Sequence, residues 1–435
     1  MLTFFGTKRR FCDGVSRRDF LKVGALATGG LSLSQLYQAE AQAGISHGAK
    51  SIINIYLGGG PTHMDTFDLK PDAPAEFRGE FKPIATKAPG VEICELMPQL
   101  AKLGDKIAIV RSVTGVRDEH SPRQSDSGWS ENDLRSIGGH PGLGPVMSRV
   151  YGTVNGTAPT SVALSGFTNH GFLPPVFRDY RPDGEGRANL KLQGGMNAGR
   201  LTDRKHLLDN LDRIRREMDQ SGSMTALDSF NERAITVITS GTLADALSTE
   251  KEDPRCIERY GFNDNGRNGS YGGNRSFLLA RRLVEAGVRV VSLSWGGWDT
   301  HGQNFQSMRQ QLPALDVGLS ALIEDLQSRG MLEDTMIMMS GEFGRTPRIN
   351  GSAGRDHWSP ASFFFLAGGG LKTGQVVGST NRLGERPLDR PVHLQQIFAT
   401  VYKNLGIDVE RATLVDPNGR PQYLVDHREA IKELV

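Results

Sequence analysis

The sequence is poor in cysteine, in long apolar runs and in net charge. It has three cysteines in 435 residues. Cys12 lies near the start, and Cys94 and Cys256 are too far apart to form a thiolate metal motif or a disulfide framework. These two suit either one disulfide in an oxidising compartment or two buried thiols, and we read them as thiols. No run approaches the roughly 18 apolar residues of a membrane-spanning helix, so no span is expected in the mature chain. Hydrophobic residues make up only 37%, but the net charge is +2 and aromatics, at 7%, occur throughout. A disordered acidic or basic chain is thereby excluded. The 53 glycines explain much of the low hydrophobic share and point to a loop-rich, enzyme-like fold. The length suits one large α/β domain with insertions.

Residues 1–43 read as a twin-arginine signal peptide. Arg17 and Arg18 precede Asp19-Phe20-Leu21-Lys22 and a weakly apolar stretch, and Ala41-Gln42-Ala43 gives a small-residue cleavage pattern. Gly24, Gly29 and Gly30 would spoil a stable surface helix there. The expected partner is the twin-arginine export machinery, and the expected location is periplasmic or secreted. That route carries folded proteins, which favours a group bound before export. Without these residues, which hold six basic and three acidic side chains, the net charge is −1. No basic field remains to suggest nucleic acid.

Along the mature chain, residues 44–435, short apolar runs alternate with helical patterns. Strands are expected at Ser51–Leu57, Lys106–Ser112, Ser161–Leu164, Val288–Leu293, Thr335–Met339 and Ser362–Leu366. Helices are expected at Leu96–Leu103, Arg275–Ala286, Leu312–Arg329 and Pro391–Leu405. Arg178–Gly199 is Gly- and Arg-rich. Asp203–Asp219 and Thr225–Leu247 show helical spacing, with Leu207, Leu208, Leu211 and Ile214 on one stripe. A mainly helical insertion around 178–250 is the reading. The alternation predicts an α/β fold with a doubly wound, mainly parallel sheet covered on both faces. Ligands of such sheets bind beyond the carboxyl ends of the strands.

Those strand ends are rich in carboxylates and imidazoles. His63, Asp65 and Asp68 follow the first strand. Asp299 and His301 follow Val288–Leu293, and Glu342 and Arg345 follow Thr335–Met339. Asp356 and His357 come shortly after. Such a set suits a divalent cation with mixed nitrogen and oxygen ligands. We take Asp65, Asp299, His301, Glu342, Asp356 and His357 as candidate ligands of Zn, Ca or Mg. Asp118-Glu119-His120-Ser121-Pro122-Arg123 follows the second strand. Ser121 before Pro122 suits a helix start or a nucleophile. Arg345 suits bidentate binding of an anion or pairing with Glu342, and Arg123 suits an anionic ester or a solvated face.

The pattern resembles the alkaline phosphatase/sulfatase superfamily, and within it the exported bacterial branch known as domain-of-unknown-function family 1501. Glu95–Leu103 is similar to the T-P-N-L-D-x-L-A helix of sulfatases. His120-Ser121-Pro122-Arg123 lies where the superfamily keeps its nucleophile. Pro391–Ile407 is similar to its closing helix. G-G-G-P-T-H-M-D-T-F-D, G-E-F-G-R-T-P and G-R-D-H-W resemble signatures of the branch. The resemblance spans roughly residues 50–410. It implies an alkaline-phosphatase-like three-layer sandwich with one or two metals, in the order Asp65, Ser121, Asp299 with His301, Glu342, His357. It also implies hydrolysis of small-molecule or glycan esters of phosphate or sulfate, with Ser121 as nucleophile and Arg345 on the anion. The chain departs from the pattern in three places. Gly59 stands near the first-strand Asp, Glu342-Phe343 replaces the usual Asp-His pair, and Asp299 and His301 are two apart rather than four. A catalytically degenerate member that binds a ligand at the cell surface is the competing expectation.

Overall fold

The computed structural model describes residues 51–153, 158–165, 169–182, 241–262 and 272–435. The expected signal peptide and most of the expected helical insertion, including both of its helical stretches up to residue 240, lie outside them.

Eight strands form the central sheet: β1 Ser51–Tyr56, β2 Ile107–Thr114, β3 Ser161–Ala163, β4 Val290–Ser294, β5 Thr335–Ser340, β6 Ser362–Gly368, β7 Gln375–Val377 and β8 Val392–His393. Their order is β7-β2-β6-β5-β1-β4-β3, with β8 on the outer end of β2. All pairings are parallel except those of β6, which runs antiparallel to both β2 and β5. The fold is therefore mixed α/β with a mainly parallel sheet, as the alternation of elements predicts.

The strands are apolar on both faces because both faces are covered. Ile53, Ile55, Ile337, Met339, Phe363 and Phe365 share one core with helices α1 Pro98–Ala101, α4 Arg275–Glu285 and α5 Asn304–Ser328. Ile52, Met336, Met338, Phe364 and Leu366 share the other with α3 Leu143–Val150 and α6 Leu394–Asn404. Between β2 and α3 lies the short helix α2, Arg123–Ser127. Among the described residues, no helix is long and apolar enough to cross a membrane. Cys94 and Cys256 are free thiols; Cys94 is buried and Cys256 half-buried.

Three helix boundaries differ from the sequence expectation. Helix α5 starts at Asn304 and carries Pro313 inside it. Proline is favoured in a helix's first turn, so Leu312-Pro313 reads as a start, yet here the proline sits in the interior. Helix α6 begins at Leu394 because His393 caps it. The His393 Nδ1 accepts from the Gln395 amide at 3.2 Å, and the Gln396 side chain accepts from the His393 amide at 3.0 Å. Helix α1 is half the expected length. It is capped from another element: the Asp316 carboxylate on α5 accepts from the amides of Gln99 at 3.0 Å and Leu100 at 2.7 Å.

That cross-layer cap gives a direct test. Asp316→Ala orphans two amides at the start of α1 and costs about 1–2 kcal/mol, the usual worth of a lost cap. The expected readout is a lower denaturant midpoint at unchanged slope. An unchanged midpoint would show that α1 is held by its apolar contacts alone.

Candidate metal centre

The sheet brings distant loops to one edge. Tyr56, the last residue of β1, is in register with Ser294 of β4 and Ser340 of β5. The loops after these three parallel strands therefore leave the sheet together, and the loop after β2 joins them. Strand β6 runs the other way, so its beginning lies at the same edge, with Ser362 opposite Val113 of β2. The residues that lead into β6, including His357, arrive there for that reason.

Three imidazoles and one carboxylate meet at this edge. His357 Nε2 lies 3.0 Å from His120 Nε2, 3.1 Å from His301 Nε2 and 3.3 Å from Asp299 Oδ1. Asp299 Oδ1 is also 3.0 Å from His301 Nε2, and Asp299 Oδ2 is 3.7 Å from His120 Nε2. His120, Asp299 and His301 are exposed and His357 half-buried, so the group is open to solvent on one side.

Each imidazole is held from behind by a carboxylate. Asp118 Oδ1 is 2.6 Å from His357 Nδ1, Asp356 Oδ1 is 2.6 Å from His301 Nδ1, and Glu342 Oε1 is 3.1 Å from His120 Nδ1. A carboxylate acceptor draws the proton to Nδ1 and leaves the Nε2 lone pair free. The Nε2 lone pairs of His120 and His301 thus both face that of His357, beside an anionic Asp299. Acceptors at such distances repel one another unless a cation or an added proton lies between them. Metal–nitrogen bonds of about 2.0–2.1 Å place neighbouring ligand nitrogens about 2.9–3.4 Å apart, which is the spacing here. The set His120, Asp299 and His357, whose ligand atoms all lie within 4.8 Å of one another, fits a divalent metal on both chemistry and distance. His301 adjoins this group through Asp299 and His357 and is not part of it.

Asp299 is kept anionic from below. Burial works against its charge, but the Arg345 guanidinium beside it holds the carboxyl below the usual carboxylate range. Asp356 is likewise held low, chiefly by its hydrogen bond to His301 and then by that from Asn350.

Four candidates from the sequence have other work. Asp65 is fully buried and forms a two-point ion pair with Arg355, at 2.7 Å to Nε and 3.2 Å to Nη2. Thr62 Oγ1 and Asn304 Nδ2 also donate to it, each at 2.9 Å, so its carboxylate is committed to partners inside the protein. Glu342 is buried and turned toward the first loop, where it accepts from the Gly59 and Gly60 amides at 2.9 and 3.2 Å. It orients His120 rather than binding an ion. Arg345 has no exposed surface. It donates to the carbonyls of Gly59, Gly60 and Arg355 and to Asp299, so it cannot clamp a substrate anion. Ser121 is 7% exposed, and its Oγ accepts from the Arg123 amide at 3.4 Å, as a turn residue does. It bonds to none of the three histidines. The structure brings Asp299, His301 and His357 together, with Asp356 behind His301. Sequence reasoning missed Asp118 and His120 as site residues. Their signal was the D-E-H triplet after β2, where attention went to the serine that follows.

The fold and this cluster define a mixed α/β protein with a histidine–carboxylate candidate metal centre. The chain belongs to the family described as "Protein of unknown function (DUF1501)", whose profile matches residues 49–435. A search of curated proteins finds no match. Similar solved structures include a lipoteichoic acid synthase, LtaP, from Listeria monocytogenes, at 11% identity and TM-score 0.36, covering 83% of this chain and 72% of that one. The PsFucS1 sulfatase from Pseudoalteromonas sp. is 13% identical with TM-score 0.38, covering 87% and 72%. A phosphonate monoester hydrolase of Agrobacterium radiobacter is 12% identical with TM-score 0.33, covering 82% and 74%. Likeness at this level says nothing about the site's chemistry.

Metal content is the decisive measurement. Elemental analysis of the folded protein, purified without chelator, should give near-stoichiometric divalent metal, lost in a His301→Ala/His357→Ala variant. Asp118→Ala should weaken metal affinity about 10–100-fold, the usual cost of losing a carboxylate behind a ligating histidine. Metal-free wild type would mean that protons, not a metal, relieve the crowded nitrogens.

Proposed function

We propose that the protein is an exported metal-dependent hydrolase of phosphate or sulfate esters, acting in the periplasm or outside the cell. The observation that carries this reading is the set of three imidazoles and Asp299, each imidazole fixed by its own carboxylate, at the strand-end edge where such sheets bind ligands. The sequence motifs shared with the alkaline phosphatase/sulfatase superfamily favour ester chemistry over simple metal storage. Two imidazole nitrogens and one carboxylate favour Zn²⁺, since Ca²⁺ and Mg²⁺ prefer all-oxygen sets. A metal held by His120, His357 and Asp299, with His301 beside them, would polarise the ester oxygen and offset developing negative charge.

The chain's own residues have separable tasks in this reading. Asp118, Asp356 and Glu342 keep the Nδ1 protons in place and the imidazoles aimed. Arg345 keeps Asp299 ionised and stationary. Exposure of Asp299, His120 and His301 leaves an approach for substrate. Ser121 is a structural residue of the turn before α2.

A second reading is a binding protein on a degenerate hydrolase fold. Its specific support is Ser121, buried and bonded to a backbone amide instead of a base. Turnover separates the two. Full-length mature protein supplied with Zn²⁺ or Mn²⁺ would be assayed on p-nitrophenyl phosphate, p-nitrophenyl sulfate and a phosphonate monoester. We expect metal-dependent hydrolysis of at least one, a loss of about 100-fold or more in His357→Ala, and activity within about threefold in Ser121→Ala. Metal bound with no turnover on any ester moves the conclusion to the binding protein. Loss of all turnover in Ser121→Ala, with metal retained, restores the serine as nucleophile.

Export is tested separately. Replacing Arg17 and Arg18 by Lys should leave the precursor unprocessed inside the cell. Normal processing of that variant would remove the twin-arginine assignment without touching the site.

A further inference from the structure

The loop between β2 and α2 serves the candidate metal centre twice. His120 supplies one of its imidazoles, and Asp118 Oδ1 holds the ring of another, His357, at 2.6 Å. The placement of both imidazoles therefore depends on the shape of residues 117–122. These residues form neither helix nor strand, so no ladder of backbone bonds fixes them. Their shape has to be set by side chains.

Gln124 closes this loop. It is the second residue of α2 and 1% exposed. Its Oε1 accepts from the Arg117 amide at 2.6 Å, and its Nε2 donates to the Arg117 carbonyl at 2.9 Å. One side-chain amide thus takes both backbone polar groups of the residue just before Asp118. Within the closed loop, the Glu119 amide donates to the same Arg117 carbonyl at 3.0 Å, and the Ser121 amide donates to the Glu119 carbonyl at 2.7 Å.

The clamp is anchored to the strands that set the rest of the centre. Ser125, the next residue, donates from its Oγ to the Gly341 carbonyl at 2.9 Å, and its own carbonyl accepts from Asn54 Nδ2 at 3.1 Å. Asn54 lies within β1. Gly341 follows β5 and directly precedes Glu342, whose Oε1 is 3.1 Å from His120 Nδ1. His120 is thus held twice from the end of β5: at its ring by Glu342, and at its backbone through Ser125 and Gln124. Glu119 adds a lesser hold at the crown of the loop, where its carboxylate accepts from Ser130 Oγ at 3.0 Å and the Glu131 amide at 2.9 Å. Glu131 is exposed, and water competes for such bonds.

We infer that Gln124 is a positioning residue of the metal centre. It is not a ligand. By fixing Arg117 against α2 it sets where His120 stands relative to the Asp118–His357 pair, and through that spacing it sets metal affinity. The inference rests on the metal reading of this centre and is independent of the hydrolase reading.

Two measurements on the full mature chain test it: Zn²⁺ affinity by competition with a chromophoric chelator, and the visible absorption of the Co²⁺-loaded protein. Gln124→Met keeps the side-chain length and loses both bonds. It should weaken Zn²⁺ binding at least about tenfold, as loss of a group that orients ligands does, and shift the Co²⁺ spectrum. Gln124→Asn keeps the amide one methylene short. It should show the same changes to a lesser degree, and it carries the test if the Met variant does not fold. Asp316→Ala removes the α1 cap instead and controls for lost stability. It should leave Zn²⁺ affinity within about threefold and the spectrum unchanged, since its partners are not shared with the loop. Wild type that binds no metal ends the metal reading and this inference with it. Metal-binding wild type with Gln124→Met affinity within about threefold, or with an equal loss in Asp316→Ala, overturns the positioning role alone and leaves the metal centre standing.

Discussion

Two buried residues of opposite charge, Glu342 and Arg345, grip the same pair of glycines from opposite sides. Glu342 takes the amides of Gly59 and Gly60, and Arg345 takes their carbonyls. The amides and carbonyls of both glycines are thereby satisfied by side chains. The turn must be glycine. Gly59 and Gly60 have φ of 102° and 75°, and a Cβ would strike the Asp299 backbone at 2.4 Å or the Phe343 ring at 2.5 Å. The other ends of the two charges then reach the surface cluster: Glu342 touches His120, and Arg345 touches Asp299. One grip therefore sets the loop after β1, the loop after β2 and the loop after β4 relative to β5.

This arrangement resolves an electrostatic problem. Charges without exposed surface are expensive unless paired and fully hydrogen-bonded. Glu342 has two amides, an imidazole and the Tyr56 hydroxyl, whose proton is retained because burial and the Glu342 charge oppose its ionisation. Arg345 has three carbonyls and a carboxylate. The Asp65–Arg355 pair repeats the pattern one layer further in, with Arg355 also donating to the carbonyls of Phe77, Thr346 and Pro347. Four charges in the family-like motifs thus tie loops to one another. In a low-dielectric setting they are worth having as fixed scaffolding, and they deny themselves to any ligand.

The strands were legible because a parallel sheet covered on both faces needs continuous apolar runs, and Ser51–Tyr56, Thr335–Ser340 and Ser362–Gly368 are such runs. That carboxylates and imidazoles would gather at the strand ends followed from the fold class. The division of labour among the charged residues did not. Asp65 in a loop after a strand looks the same on paper whether it faces solvent or Arg355, which lies 290 positions later. His120 was passed over because its role depends on His357 and Glu342, both more than 200 positions away. The position of His357 depends in turn on β6 being antiparallel, and no local pattern in the sequence announces strand direction.

What sorts the strand-end residues is exposure. Asp65, Glu342, Arg345 and Arg355 are buried, and each is neutralised by a partner or a ring of backbone groups. Asp118, His120, Asp299, His301 and Asp356 are exposed, and they point their hydrogen bonds at one another. An exposed carboxylate and imidazole gain little from a surface ion pair, at most about 1 kcal/mol, and ordering several such side chains costs comparable side-chain entropy. Five exposed groups arranged in relay, with half-buried His357 at their centre, are therefore poor stabilisers. Their shared geometry makes energetic sense when a bound cation supplies the missing interaction, whereas the buried four need no ligand at all.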